Sequence, residues 1–486
     1  MLIEQVNLWE PARFSPRGRI YLTPAMWFCF RFLRSRPPRP PAQSLISHMD
    51  ILPIELHQEV FLHAVGRRPS DYRVLYAIAG TCRYWRDTCL QTPDLWAHLE
   101  LSDPIVAHDI DRAKLYLSRS AQVPLDITIR SAEVYFTDDG EPFHQALSLI
   151  AAQAHRWRNC HFYLPISYVA HLWDTLGSQR TPLLEELIME PVSYRYADLV
   201  NQGYETMGDE LATYLPHAPR LLRLESHAAP MIPAQPWSSL RYLNYSLRNI
   251  VDDPLWVTLP NTPGLVELNI YFPGRSWYRA PSVPLTADIP LLSLKRLGVF
   301  GFWGNPAWTQ RLKMPNVEKL TVSVESCNLL HPLFAVLKGK IRHLVLGTVQ
   351  RPVTGYLGRV DAVAADALES GIETIEIWNL TKTMIRVGYH GLFEYLMERE
   401  PASPLAQCRR LILRDCVIQL GSVKTLLDFI KLRSAEMKTE ARESSFKFEV
   451  VNTSLINRAT KKHPAWFQES AELFAGVNFI HNADEE

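Results

Sequence analysis

Between residues 184 and 413 a six-residue pattern, apolar-x-x-apolar-x-apolar, occurs nine times. It reads LEELIM from Leu184, LLRLES from Leu221 with a polar last position, LRYLNY from Leu240, LVELNI from Leu265 and LKRLGV from Leu294. It continues as VEKLTV from Val317, IRHLVL from Ile341, IETIEI from Ile372 and CRRLIL from Cys408. Successive starts are 37, 19, 25, 29, 23, 24, 31 and 36 residues apart. Alternation of apolar residues at the end of each copy marks a strand with one buried face. One strand cannot bury that face alone, but a stack of neighbours can, so a recurrence of this kind specifies an extended array.

The core of each copy resembles the Leu-x-x-Leu-x-Leu strand of leucine-rich repeats, and several spacings fall in that family's range. The Asn or Cys that usually follows is mostly missing; Cys416 and Asn379 are near matches. The resemblance implies an irregular leucine-rich-repeat-like solenoid over residues 184–455, with a curved parallel sheet. The alternative, several unrelated α/β units, stays open. In such a strand the apolar positions point inward and the intervening ones outward. The residue after each last apolar position therefore falls on the inner, concave face. That column is Glu190, His227, Ser246, Tyr271, Phe300, Ser323, Gly347, Trp378 and Arg414. Tyr271 and Phe300 belong to neighbouring repeats, about 5 Å apart. Aromatics are enriched where proteins bind partners, so Tyr271, Phe300 and Trp378 are candidate substrate-binding residues. Cover by a C-terminal helix or a long loop is the open alternative.

Upstream, DILPIELHQEVFLHAV (residues 50–65) has Asp50 as a cap and Pro53 in the first turn. Leu56, Val60, Phe61 and Ala64 then make one apolar stripe on a helix. A second helix, YRVLYAIAGTCRYWRDTCL, carries Leu75, Ile78, Cys82, Trp85 and Cys89 at helical spacing, so that Cys82 and Cys89 share a face. TPDLWAHLEL follows, with Leu95 and Trp96 on one side. A unit of this size is marginal by itself, and its surplus apolar surface must pack on the next domain or on another chain.

These three segments resemble the F-box, over residues 50–101. Leu52, Pro53, Glu55 and Leu56 match its opening, and Val60-Phe61 its apolar pair. Cys82, Arg83 and Trp85 match its Cys-Arg-x-Trp, and Leu95-Trp96 its close. His57 and Gln58 stand where the family often has apolar or small residues, and GRRPSDYR is a longer loop than in compact members. The resemblance implies that Leu52, Pro53, Glu55, Leu56, Val60 and Phe61 bind a Skp-family adaptor, and through it a cullin–RING ubiquitin ligase. It implies a core of Leu75, Cys82, Trp85, Leu95 and Trp96, with both tryptophans needed for folding. The repeats would then hold an unidentified protein substrate. The fold class expected is α/β: a small three-helix F-box followed by the solenoid. The alternative is a non-catalytic interaction protein using both parts outside a ubiquitin ligase.

The remaining segments are an Arg/Pro-rich leader over 1–48, expected to be disordered, and a connector over 102–183. Residues 456–486 are expected to form a C-terminal helix and polar tail. The connector contains helix patterns in IVAHDIDRAKLYLSRSA and PFHQALSLIAAQAH and a strand in VPLDITIRS. A translation start at Met49 is an alternative to the leader. The leader's apolar run, IYLTPAMWFCFRFL, is too short and interrupted to span a bilayer. No membrane is therefore expected as partner.

Lysine plus arginine and aspartate plus glutamate both total 51. That balance lacks the basic excess of a nucleic-acid binder. The seven cysteines are scattered without a Cys-x-x-Cys pair, which fits buried thiols in a reducing compartment; cytoplasm and nucleus both remain open. No His-Glu-x-x-His, phosphate loop or Gly-x-Ser-x-Gly elbow occurs. Glu185 and Glu186 are adjacent on a strand and point apart, and His343 reads as a polar surface residue rather than a base. No cofactor, metal or catalytic residue is expected.

Overall fold

In the computed structural model, the described residues are 52–66, 72–102, 105–131, 141–177, 179–191, 214–215, 217–226, 232–233, 237–247, 255–272, 288–301, 306–323, 333, 336–337, 341–347, 372–378, 409–414, 416–419, 428, 430–431, 447–451, 454–456 and 478–480. The chain divides into two compact units, residues 1–98 with 116–121, and residues 99–115 with 122–486. The leader, Asp50, His227, Asn379 and most of the C-terminal segment lie outside the described residues.

The first unit is built from α1 (Ile54–Val65), α2 (Tyr72–Thr81), α3 (Arg83–Leu90) and a 3-10 turn at Pro93–Trp96. Pro53 caps α1 instead of entering it, and Gly66 ends it at φ 78°, a conformation that costs glycine little. The expected stripe on α1 separates into two faces. Phe61 is 1% exposed and packs on Trp85, with ring centroids 5.1 Å apart. Phe61, expected to bind a partner, is therefore core. His57 joins it, buried against the Tyr84 ring with its Nδ1 3.2 Å from the Pro53 carbonyl.

The long helix expected over 72–90 is two helices. Cys82 is extended at φ −157° and caps α3, its sulfur accepting from the Trp85 N–H at 3.4 Å. Cys82 is thus exposed, not core, and does not share a face with the buried Cys89. Burial pushes the Cys89 thiol up to about 11. Leu75, Leu95 and Trp96 are buried, while Trp85 is half-buried.

The second unit holds a sheet of 13 strands in chain order. They are β1 (His98–Ser102), β2 (Leu125–Arg130), β3 (Trp157–Leu164), β4 (Glu186–Pro191), β5 (Arg223–Ser226), β6 (Tyr242–Ser246) and β7 (Glu267–Tyr271). They continue as β8 (Arg296–Phe300), β9 (Lys319–Ser323), β10 (His343–Gly347), β11 (Thr374–Trp378), β12 (Arg410–Arg414) and β13 (Lys447–Val451). From β2 to β13 every neighbouring pair is parallel. Helices α4 (Ala107–Arg119), α5 (Glu141–Ala151) and α6 (Ile166–Leu176) follow β1, β2 and β3.

Each of the nine repeat copies places a strand two residues after its first apolar position. Leu184, Leu221, Leu240, Leu265, Leu294, Val317, Ile341 and Ile372 are at most 1% exposed. The strand's own apolar positions fill the same core: Leu268 and Ile270 in β7, Leu320 and Val322 in β9, Ile375 and Ile377 in β11. Just before each strand one carbonyl accepts two successive N–H groups of the next repeat. Glu318 O, for example, takes Arg342 N at 2.9 Å and His343 N at 3.1 Å. This repeated bond locks neighbouring copies in register although the intervening lengths vary. Two further short parallel pairs, Tyr214–Leu215 with Ile232–Pro233 and Ile289–Pro290 with Leu312–Lys313, join flanks of successive copies. A third small sheet joins Val417–Gln419, Ser454–Ile456 and Asn478–Ile480. Cys416 is buried with its sulfur 3.4 Å from the Ile377 carbonyl of the preceding strand.

Candidate functional site

Parallel register lines up the polar face of the sheet in three columns. The first runs Glu186, Arg223, Tyr242, Glu267, Arg296, Lys319, His343, Thr374, Arg410 and Lys447. Two residues further along the strands are Ile188, Glu225, Asn244, Asn269, Gly298, Thr321, Val345, Glu376, Ile412 and Glu449. The third column carries Ser246, Tyr271 and Phe300, then Ser323, Gly347, Trp378 and Arg414, aligned as the repeat pattern predicts. Glu190, at the same strand position in β4, is exposed.

Tyr271 and Phe300 stack, with centroids 4.5 Å apart and planes 17° from parallel. Phe300 is nevertheless only 7% exposed. Its ring lies over Gly298, where an added Cβ would meet Phe300 Cε2 at 2.8 Å. Phe300 therefore supports Tyr271 rather than offering a wide surface itself. Tyr271 is half-buried, and burial pushes its phenol up to about 12. Trp378, also half-buried, lies over Gly347 in the same way, 2.9 Å from where a Cβ would sit. Phe300 and Trp378 thus rest on glycine saddles in the sheet.

One buried carboxylate organises the far part of the face. Glu376 is 8% exposed. Its Oε1 accepts from Arg414 Nε at 2.7 Å, and its Oε2 lies 3.2 Å from His343 Nε2 and 3.9 Å from Lys319 Nζ. Burial opposes the charge on Glu376, but the Arg414 hydrogen bond and the charges of Lys319 and Arg414 outweigh it and hold the carboxyl below its usual range. His343 is lowered by burial and by Lys319, against the pull of Glu376. Its Nε2 contact with Glu376 has ion-pair distance without hydrogen-bond geometry.

The signs of these shifts predict the acid limb of stability. A depressed carboxylate stabilises above its unfolded value, 4.5, and loses that contribution as pH falls through the lower folded value. A depressed histidine costs stability once pH falls below 6.5, because the unfolded chain takes up the proton first. Stability should therefore begin to fall as pH drops below 6.5, before the carboxylate responds below 4.5. In His343→Gln that part of the loss should shrink. Urea midpoints measured across this range check it; parallel curves for parent and variant would remove His343 as a cause.

The second candidate surface is on α1 in the other unit. Leu56 is 49% and Val60 46% exposed, one turn apart, and Ala64 continues the line a turn later. Pro53 and Glu55 are exposed and Leu52 half-buried at the start of the helix. Of the six residues expected on this surface, only Phe61 turns inward.

Among the described residues no group of three or more His, Cys, Asp or Glu could hold a metal, and no helix is long and apolar enough to cross a membrane. The chain matches no protein-family model and no curated protein. Sequence reading passed over Glu376, Lys319 and Glu225. Their signal was present: each stands at a fixed offset from the start of its repeat, and aligning the nine copies brings those offsets together.

Proposed function

We propose that this protein is the substrate-recognition subunit of a Skp–cullin–F-box ubiquitin ligase. In this reading α1 docks on a Skp-family adaptor, and the polar face of the repeat sheet, taken as the inner face of a leucine-rich-repeat-like solenoid, holds a protein substrate. The observation that carries it is the exposed strip of Leu56 and Val60, which coincides with positions of the F-box motif. Fully burying one such side chain stabilises by roughly 1.5–3 kcal/mol, and a small unit that leaves two aligned ones in water has surface to give to a partner. The core of Leu75, Leu95 and Trp96 beneath it supports the same reading, because it fixes the helix that presents the strip. The chain supplies no transfer chemistry in this role; a separate enzyme does.

The test is co-expression with a Skp-family adaptor and a cullin. The parent should copurify both. Leu56→Glu with Val60→Glu should reduce adaptor recovery by an order of magnitude or more, with an unchanged circular dichroism spectrum. Equal recovery by parent and double variant would sink the assignment.

A further inference from the structure

The polar face of the sheet is divided by charge along the strand order. Across β4–β7 it carries Glu186, Glu190, Glu225 and Glu267 against Arg223 alone. Across β8–β13 it carries Arg296, Lys319, Arg410, Arg414 and Lys447 against Glu376 and Glu449. Among the described residues one block is therefore net negative by three charges and the other net positive by three. Arg223 pairs with Glu225, Arg410 with Glu449 and Arg414 with Glu376 within the blocks, and Arg296 pairs with Glu267 across the seam; together they neutralise much of the charge but leave the sign of each excess. The stacked pair Tyr271 and Phe300 sits at the seam, on adjacent strands β7 and β8.

We infer that this face recognises an extended peptide segment that is basic at one end and acidic at the other, with an apolar residue between. This rests on the reading of the sheet face as the substrate-binding surface and specifies its substrate class. The basic end lies over β4–β7, the apolar residue meets Tyr271, and the acidic end lies over β9–β13. Strands about 4.8 Å apart put the centres of β4–β7 and β9–β13 roughly 26 Å from one another. An extended chain at about 3.3 Å per residue covers that in about eight residues. Complementary charge on both blocks gives register as well as attraction, because a sliding or uniformly charged peptide meets like charge on one side.

The experiment uses fluorescence anisotropy with the purified full chain and three labelled peptides of about 14 residues. One is Lys-rich at one end and Glu-rich at the other around a Phe-Leu centre; the others are uniformly acidic or uniformly basic around the same centre. The bipolar peptide should bind at least about tenfold more tightly than either control, and less tightly as salt rises. Lys319→Glu with Lys447→Glu should weaken it about tenfold. The same variant should bind a peptide with Lys at both ends better than the parent does, a rescue that a folding defect cannot produce. No binding, equal binding of the three peptides, or no rescue overturns the inference. Adaptor capture is assayed on the same preparations: bipolar binding without adaptor would sink the ligase assignment and leave the peptide class standing, and adaptor capture without charge selectivity would do the reverse.

Discussion

Trp96→Ala will destabilise the helical unit by about 3–5 kcal/mol, the range for removing a buried tryptophan. Trp96 is 3% exposed; its indole N–H donates to the Cys89 carbonyl at 2.9 Å, Tyr116 meets it edge-on at 5.2 Å, and the Arg119 guanidinium lies 4.8 Å above the ring. The bond takes up one of the carbonyls that the end of α3 leaves without an intrahelical partner. Truncation therefore opens a cavity and removes the shorter of two bonds to the Cys89 carbonyl, which keeps the Thr92 N–H at 3.3 Å. Domains are stable by only about 5–15 kcal/mol, so the loss is a large fraction of what holds α1 in place. Trp96→Phe keeps most of the ring and forfeits the hydrogen bond, and should cost about 1–3 kcal/mol. Trp85, half-buried against Phe61, should tolerate truncation better than Trp96 does. Hydrogen exchange over residues 54–96 reads all three. Protection that survives Trp96→Ala would show that the turn at Pro93–Trp96 is dispensable.

The strands that sequence reading found are those in which core packing and repeat spacing say the same thing. In LVELNI, Leu265 is buried before the strand and Leu268 and Ile270 within it, so the apolar signature and the strand coincide. The reading missed β3 for a physical reason. The register between β2 and β3 shifts after Leu125, so that Leu125 faces Trp157 while Asp126 faces Asn159. The extra residue, Arg158, breaks the alternation, and Trp157 and Cys160 end up on one side three residues apart. In α2 and α3 the error has the opposite sign. Apolar spacing of three and four persists through Cys82 because both helices face one core, so periodicity alone cannot see the break. Gly80, one residue before the end of α2, was the available hint. The charge division of the sheet was hidden for a third reason: it is a property of columns across strands, and each column has meaning only once register is fixed.

Trp157 repeats the arrangement of Trp96 in the sheet-bearing unit and should respond in the same way. It opens β3, is 1% exposed, donates its indole N–H to the Ile150 carbonyl at 3.1 Å, and lies 5.6 Å from the Phe162 ring. Both tryptophans reach back seven residues to the last turn of the preceding helix. In each case one side chain ends the helix, turns the chain and starts a strand. Trp157→Ala should destabilise by about 3–5 kcal/mol. The loss should show first as faster hydrogen exchange at the end of α5 and along β3, because the cavity lies there and the Ile150 carbonyl keeps the Gln153 N–H at 3.0 Å but loses the indole. β2 and β4 should follow, since each pairs with β3 along most of its length. The strands β9–β12 should hold longer, because a stacked array transmits a local loss only through successive neighbours. Trp157→Phe should fall between parent and Ala. Uniform loss of protection from β2 to β12 in Trp157→Ala would mean that the sheet unfolds as one cooperative block rather than repeat by repeat.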